Sequence, residues 1–451
     1  IRRRMRTSKK NRTATLTIPA FGTADIATPA DAIAPERWLA RKLLELAGAT
    51  NLHLVLWNGE EIALDEPPRA PAERAEKVRE GRFPRIAAPT KPAVLRLVLR
   101  DRGALYKLLA DPALHFGDLY SVGRLEVEGD LVQFLELAYR VIADSPQPGL
   151  LKRLQSLVQH SPRPNTLRRA RDHIHHHYDL GNAFYSLWLD AEMQYTCAYF
   201  PDSAMTLEQA QLAKLEHVCR KLRLKPGEEV VEAGFGWGGL ARYMARHYGV
   251  RVRAFNISHE QVVYARERAK AEGLAHAIEY VEDDYRNISG QYDAFVSVGM
   301  LEHVGRDNYT ALGEVIHRVL KPDGRGLIHS IGRSQPGLMN AWIEKRIFPG
   351  AYPPSLKEMM DIFEPHDFSV LDVENLRLHY AKTLHHWLAR FEQHTGKIEQ
   401  MYDSAFVRAW RLYLAGSIAA FTTSSLQLFQ VAFARPRLNE LSWSRAHLYH
   451  Q

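Results

Sequence analysis

The run Glu232-Ala233-Gly234-Phe235-Gly236-Trp237-Gly238-Gly239 is the first segment able to do chemistry. It follows Glu229-Val230-Val231-Glu232-Ala233, which reads as a buried strand, and leads into a helical pattern from Leu240 to Tyr248 that Gly249 ends. Glycines at such a turn let the backbone approach a ligand at the helix N-terminus. No Gly-Lys-Ser/Thr follows, so the loop is not a P-loop. A dinucleotide fold expects an acid at the end of the second strand to grip ribose hydroxyls. Here that strand ends Ala254-Phe255-Asn256-Ile257-Ser258. The Glu232 carboxylate, just ahead of the glycines, suits a cationic ligand better than a polyphosphate. S-adenosylmethionine (SAM), with its sulfonium and ammonium, has that charge. After the third strand, Glu282-Asp283-Asp284-Tyr285-Arg286 offers an acid that could accept from an adenine amino group or simply cap a helix.

Longer strings carry a family resemblance. They are His177-Tyr178-Asp179-Leu180-Gly181-Asn182, Met193-Gln194-Tyr195-Thr196-Cys197-Ala198-Tyr199-Phe200, Val298-Gly299-Met300-Leu301-Glu302-His303-Val304-Gly305, Ile328-His329-Ser330-Ile331-Gly332, Phe348-Pro349-Gly350-Ala351-Tyr352-Pro353-Pro354-Ser355, His379-Tyr380-Ala381-Lys382-Thr383-Leu384 and Gln427-Leu428-Phe429-Gln430-Val431. From His177 to Arg435 the chain resembles the cyclopropane-fatty-acyl-phospholipid synthases and the related mycolic acid cyclopropane synthases. The resemblance implies a SAM-dependent methyltransferase acting on the cis double bond of an acyl chain within a phospholipid. A sulfonium methyl is electrophilic enough for a weakly nucleophilic alkene. Attack leaves a carbocation, and loss of a proton from the new methyl closes the ring. Such a site must be dry and lined with negative charge and aromatic faces.

In this family the base is bicarbonate. Its cradle here is implied to be Glu302, His329, Tyr380 and the backbones of Cys197 and Ile331, with Glu302 and the anion sharing a proton because two adjacent anions repel. The implied SAM site comprises Tyr195, Thr196, Gly234, Gly236, Gly238, Asn256, Gln261, Asp284 and Tyr285. Ser417, after Tyr413-Leu414-Ala415-Gly416, stands where the family usually has cysteine. That substitution opens a related alternative, a methyl- or methylene-branched product. Ala233 and Phe235 replace the commoner Ile and Cys at positions tolerant of side-chain change. Cys197 reads as a wall residue rather than a nucleophile. His173, His175, His176 and His177 have no matched acid-plus-Cys set, so no metal is expected. Nucleic-acid methylation is disfavoured, because Tyr352-Pro353-Pro354-Ser355 is not an Asn/Asp-Pro-Pro-aromatic motif. An inactive lipid-binding protein is disfavoured by the retained Glu302, His329 and Tyr380.

The elements that must hold these residues follow from periodicity. Across 451 residues the reading is a basic flexible arm (1–35), a small α+β domain (36–145) that the resemblance associates with lipid, a helical linker (146–170) and a catalytic domain (171–451). In the first domain, Asn58-Gly59 between apolar runs signals a hairpin and Asp101 caps a helix. In the linker, Leu150 to Val158 is a basic amphipathic helix. Beyond Thr206, which heads a capping box with Gln209, strands and helices alternate, giving an α/β Rossmann-like domain with a doubly wound sheet. Leu212, Leu215, Cys219 and Leu222 form one expected core stripe. The net charge of +7 favours a polyanionic partner. With the resemblance, this implies unsaturated phospholipid in an anionic membrane surface, no nucleic acid, and a homodimer. Two cysteines and no signal-peptide or membrane-spanning pattern suit a cytoplasmic protein peripheral to the inner face of the membrane.

Overall fold

The computed structural model describes residues 31–64, 94–144 and 180–449. Most of the basic arm, the helical linker with Leu150 to Val158, and the histidines 173–177 lie outside the described residues. Among those described, no helix is long and apolar enough to cross a membrane.

The N-terminal unit contains α1 (Ala34–Ala47), β1 (Leu52–Val55), β2 (Glu61–Ile62), β3 (Leu95–Leu99), α2 (Arg102–Ala110), α3 (Pro112–Ser121), β4 (Leu125–Glu128) and α4 (Leu131–Asp144). Its sheet runs β2-β1-β3-β4, with β1 and β3 parallel. The Asn58-Gly59 hairpin pairs Leu54 with Ile62. Asp101 caps α2 by accepting from the Ala104 N–H at 3.0 Å.

The larger unit contains α5 (Leu207–Leu222), β5 (Glu229–Ala233), α6 (Gly239–Tyr248), β6 (Arg251–Asn256), α7 (His259–Ala271), β7 (Ile278–Glu282), β8 (Tyr292–Val298), α8 (Tyr309–Val319), β9 (Leu320–Gly332), α9 (Leu356–Phe363), β10 (Ser369–Asn375), α10 (Arg377–Gln393), α11 (Thr395–Met401), α12 (Ser404–Thr422) and β11 (Gln427–Ala434). The sheet order is β10-β11-β9-β8-β5-β6-β7, with β11 antiparallel to both neighbours. Alternate strand residues feed two cores. Val230, Ala294 and Leu327 pack with α5, α6 and α7 on one face. Val231, Phe295 and Ile328 pack with α8 and α9 on the other. The chain reverses direction across the sheet between β5 and β8, the place where α/β sheets open a ligand crevice at their carboxyl ends.

The expected stripe on α5 is only partly right. Leu215, Cys219 and Leu222 are buried, but Leu212 is 45% exposed. The helix instead turns Gln211, Lys214, His217 and Lys221 inward. Burial of polar groups is tolerable there because each meets a partner: Gln211 and Lys214 bond the 194–196 loop, and His217 and Lys221 meet Glu374.

The two units meet through α12, which packs on α3 and α4. Arg346 forks onto buried Asp118 at 3.0 and 2.9 Å. Arg408 donates to the Tyr120 and Leu125 carbonyls and to Glu126, and lies over the Tyr120 ring. Trp342 sits so close to Gly117 that a Cβ there would lie 2.4 Å from its ring. Replacing Arg408 by alanine should therefore loosen this junction by about 2 kcal/mol, since two carbonyls and a carboxylate lose their donor. Thermal melts should show an earlier transition, and Arg408→Lys should recover part of the loss.

Candidate active site

A cavity opens at the carboxyl ends of β5, β6 and β8. Of the sequence-expected cofactor residues, Tyr195, Thr196, Gly234, Gly236, Asn256, Gln261, Asp284 and Tyr285 line it. Gly238 does not. It caps α6 at φ +77, and a Cβ there would lie 2.6 Å from the Tyr280 hydroxyl, which donates to the Gly238 carbonyl. This glycine lets β7 close behind the loop.

Each wall has a local cause. The Met193–Thr196 loop turns on Asp190, whose carboxylate accepts from the Glu192 and Gln194 N–H groups. Met193 is held at φ +56, a conformation rare for a residue with a Cβ. Gln211 donates to the carbonyls of Gln194 and Thr196. Lys214 donates to Gln194 Oε1 at 2.5 Å and Thr196 Oγ1 at 3.0 Å. On β6, Asn256 donates to Gln261 Oε1 and the Gly236 carbonyl, tying the second strand to the glycine loop.

The cavity residues Glu232, Gln261 and Tyr285 carry buried polar atoms without partners: Oε2, Nε2 and the hydroxyl. Burial pushes the Glu232 carboxyl up to about 8, and the same burial pulls the Lys214 ammonium down to about 8. Acceptor, amide donor and hydroxyl together suit a ligand with a cationic group at one end and polar atoms at the other. Asp284 caps the turn at Tyr285, the capping reading of this acid, and also holds Arg286 at 2.7 and 3.0 Å. Sequence reasoning missed His303 and Arg286 as wall residues. Both stand within strings that the sequence singles out, Glu282 to Arg286 and Val298 to Gly305, but neither is expected there as a wall residue.

The expected catalytic set sits beside this cavity. Gly299, on its wall, donates its N–H to the His329 carbonyl at 2.9 Å. Glu302 follows on a short turn and accepts from the Ile331 N–H through Oε1 at 2.6 Å. Ile331 thus spends its N–H on Glu302. Cys197 Sγ lies 3.9 Å from the Leu376 carbonyl; the Leu376 N–H donates to Leu428, and Leu428 pairs with Ile331 across β11 and β9. Tyr380 stands one turn after Leu376 on α10, against Phe421 and Trp387. Glu302, His329, Ile331, Tyr380 and Cys197 therefore lie on neighbouring segments from four parts of the chain, and none of them lines the cavity itself.

Glu302 Oε2 and His329 Nε2 are buried without partners. Burial lifts the Glu302 carboxyl to about 7 and holds the His329 imidazole well below its ordinary value, so His329 is neutral. The Gln430 amide nitrogen meets Nδ1 at 3.0 Å, leaving the His329 proton on Nε2, aimed as a donor. Burial pushes the Cys197 thiol far up, so it is not a thiolate nucleophile. Around these groups stands an aromatic shell. Tyr195 packs on Tyr185, Trp188 and Trp387, and its hydroxyl meets that of Tyr413 at 2.8 Å. Ser417, half-buried, lies one turn beyond Tyr413 on α12.

Residues 165–431 match the family model for mycolic acid cyclopropane synthetase. A "Probable fatty acid methyltransferase" of Pseudomonas putida is 36% identical over 357 residues, covering 76% of this chain and 88% of that protein. The "Cyclopropane-fatty-acyl-phospholipid synthase" of Escherichia coli K12 is 44% identical over 270 residues, covering 60% and 69%. Among solved structures, the cyclopropane synthase MmaA2 from Mycobacterium tuberculosis is 27% identical with TM-score 0.56, covering 58% of this chain and 98% of its own. Mycolic acid cyclopropane synthase CmaA1 complexed with SAH and CTAB gives 28% and 0.56 over the same shares.

The raised Glu302 carboxyl has a signed consequence. Its stabilising effect is complete below the ordinary carboxylate range and is lost as pH rises through about 7. Glu302→Gln keeps the acceptor for the Ile331 N–H without the charge. Thermal melts from pH 5 to 9 should show the variant gaining on wild type as pH rises, with the gap flat above about pH 8.

Proposed function

Since the chain belongs to the mycolic acid cyclopropane synthetase family, with its SAM-dependent methyltransferase fold, we propose that it methylates the cis double bond of an unsaturated acyl chain carried on a phospholipid and closes the product to a cyclopropane. The observation that carries this reading is the pair of buried, unpartnered atoms, Glu302 Oε2 and His329 Nε2, beside a cavity suited to a cationic cofactor. Closing a carbocation to a ring requires removal of a proton, and these two atoms offer buried groups able to hold and position a base next to the methyl-donor cavity.

When bound, SAM supplies the electrophilic sulfonium methyl. Glu232 answers its positive charge, while Asn256, Gln261, Asp284 and Tyr285 line the rest of the cavity. Bicarbonate would be held by His329, Tyr380 and the Cys197 backbone, and would supply a base. Glu302 keeps a proton at Oε2 near neutral pH, which lets a carboxylate and a second anion share the site. The faces of Tyr195, Trp387 and Tyr380 stabilise positive charge in the acyl chain, and their packing excludes water that would trap it. The +7 charge suits work at an anionic membrane surface, and a homodimer fits the same reading.

Ser417 favours one second reading, in which the cation is resolved to a methyl- or methylene-branched chain. The Pseudomonas relative bears a fatty acid methyltransferase name, as does a "Tuberculostearic acid methyltransferase" of Mycobacterium tuberculosis at 36% identity over 281 residues.

Expression in a host lacking its own synthase, followed by mass spectrometry of fatty acid methyl esters, separates these outcomes. A gain of one CH2 on monounsaturated chains that resists hydrogenation is expected, and Glu302→Gln should abolish it. A gain that hydrogenation reduces would favour the methylene product. A gain in a chain already saturated before treatment would favour the methyl branch, formed by proton loss to the methylene product and its reduction by a hydride donor of the host. No gain with SAM binding intact would overturn both lipid readings. Glu232→Gln should weaken SAM binding at least about tenfold by calorimetry, the scale of one buried charge-assisted contact.

A further inference from the structure

Among the described residues, the arginines at the junction of the two units and around Glu358 find partners, but Arg333 does not. Arg346 has Asp118, Arg408 has Glu126, and Arg306 reaches Glu358 at 3.4 Å. Arg333 makes no hydrogen bond or ion pair through its guanidinium among the described residues, and its Nε is sealed from solvent without a partner. Its electrostatic neighbours are Tyr139 on α4, Tyr352 and Glu358. Glu358 is already committed, accepting from Ser355 N and Oγ and from the Tyr352 hydroxyl. An arginine stays charged in proteins, so a half-buried guanidinium with its Nε sealed and no ion pair of its own is a standing cost.

The backbone fixes where this charge sits. Arg333 is one residue past β9, its N–H donating to the Pro354 carbonyl at 2.8 Å, and it bridges to Ser355. The same 351–355 segment bonds the Glu302 carbonyl through the Tyr352 N–H at 2.8 Å. His329, Ile331 and Arg333 alternate along the strand direction, so they share a face, with Arg333 about 7 Å beyond Ile331 before its own side chain is extended. The unpaired cation thus lies past the catalytic end of β9, towards α4 of the N-terminal unit.

Resting on the phospholipid reading above, we propose that Arg333 is the anchor for the substrate's phosphodiester, setting how far along the acyl chain the reacting double bond falls. The planar fork of a guanidinium matches two phosphate oxygens, which a lysine ammonium does not. The lipid phosphate supplies the missing counter-charge, and α4 helps form the wall behind it.

The test uses the full chain, wild type against Arg333→Gln and Arg333→Lys. The probes are monomeric short-chain unsaturated phosphatidylglycerol and the diacylglycerol with the same chains. Equilibrium binding is read by tryptophan fluorescence, and methyl transfer from labelled SAM is read separately. Arg333→Gln should weaken phosphatidylglycerol binding and raise its KM roughly 10- to 100-fold. Diacylglycerol binding and the KM for SAM should stay unchanged. Arg333→Lys should lie between. The melting temperature of Arg333→Gln should equal or exceed wild type, because an uncompensated charge has gone. Equal losses on both lipids, no loss on either, or a lowered melting temperature with general inactivation would each overturn the anchor. Arg333-dependent phosphatidylglycerol binding without methyl transfer by the wild type would keep the anchor and remove the proposed reaction. Arg333-dependent turnover confined to chains on a phosphopantetheine carrier protein would overturn the lipid source of the phosphate.

Discussion

A buried ammonium organises this site. Lys214 is 1% exposed, and a charge so placed must be hydrogen-bonded or it destabilises the fold. Its two acceptors, Gln194 Oε1 and Thr196 Oγ1, both belong to the loop that carries Tyr195 and Cys197. The constraint therefore works in two directions. It forces α5 to turn a polar face inward, and it pins a segment with no regular secondary structure to within hydrogen-bond tolerance. Asp190 and Gln211 complete the clamp from the loop and the helix. Through Tyr195 the clamp extends to Trp188, Trp387 and Tyr413, so the aromatic shell inherits its position from one cation.

Two buried carboxyls then acquire different characters from one physical cause. Desolvation raises both Glu232 and Glu302. Glu232 stands at the end of β5, where Lys214 and Arg242 oppose that rise and the cavity opens before it. Such a group is poised to become charged when a cation arrives. Glu302 has no cation among its influences; only hydrogen bonds, chiefly from the Ile331 N–H, favour its ionised form. It is suited to keeping a proton. A charge-accepting site and a proton-holding site can thus both operate in a water-poor interior.

The N-terminal unit belongs to this arrangement physically as well as by sequence order. Its α3 admits Trp342 at Gly117, and its α4 bonds α12 through Glu136 and Thr422 at 2.6 Å. Because α12 also carries Tyr413 and Phe421, which touch Tyr195 and Tyr380, the unit is one helix away from the aromatic shell. Displacing α3 or α4 would be felt there through packing alone.

By itself the sequence determined the alternation of strands and helices, the glycine loop at the end of β5, the hairpin at Asn58-Gly59 and the capping box at Thr206. These depend on residues within a few positions of one another, where periodicity and turn chemistry are local. The resemblance also named nine cofactor residues, of which eight line the cavity. Tertiary structure decided the rest. It showed that Leu212 faces out while Lys214 and Lys221 face in, that Gly238 serves Tyr280 rather than the cavity, and that Ile331 spends its N–H on Glu302. It alone revealed that Arg333 makes no ion pair among the described residues. The reason is common to all four. Whether a polar group can be buried depends on a partner that is often tens to hundreds of residues away, 18 positions for Lys214 and Thr196 and 29 for Glu302 and Ile331. Hydrophobic periodicity carries no record of such partners.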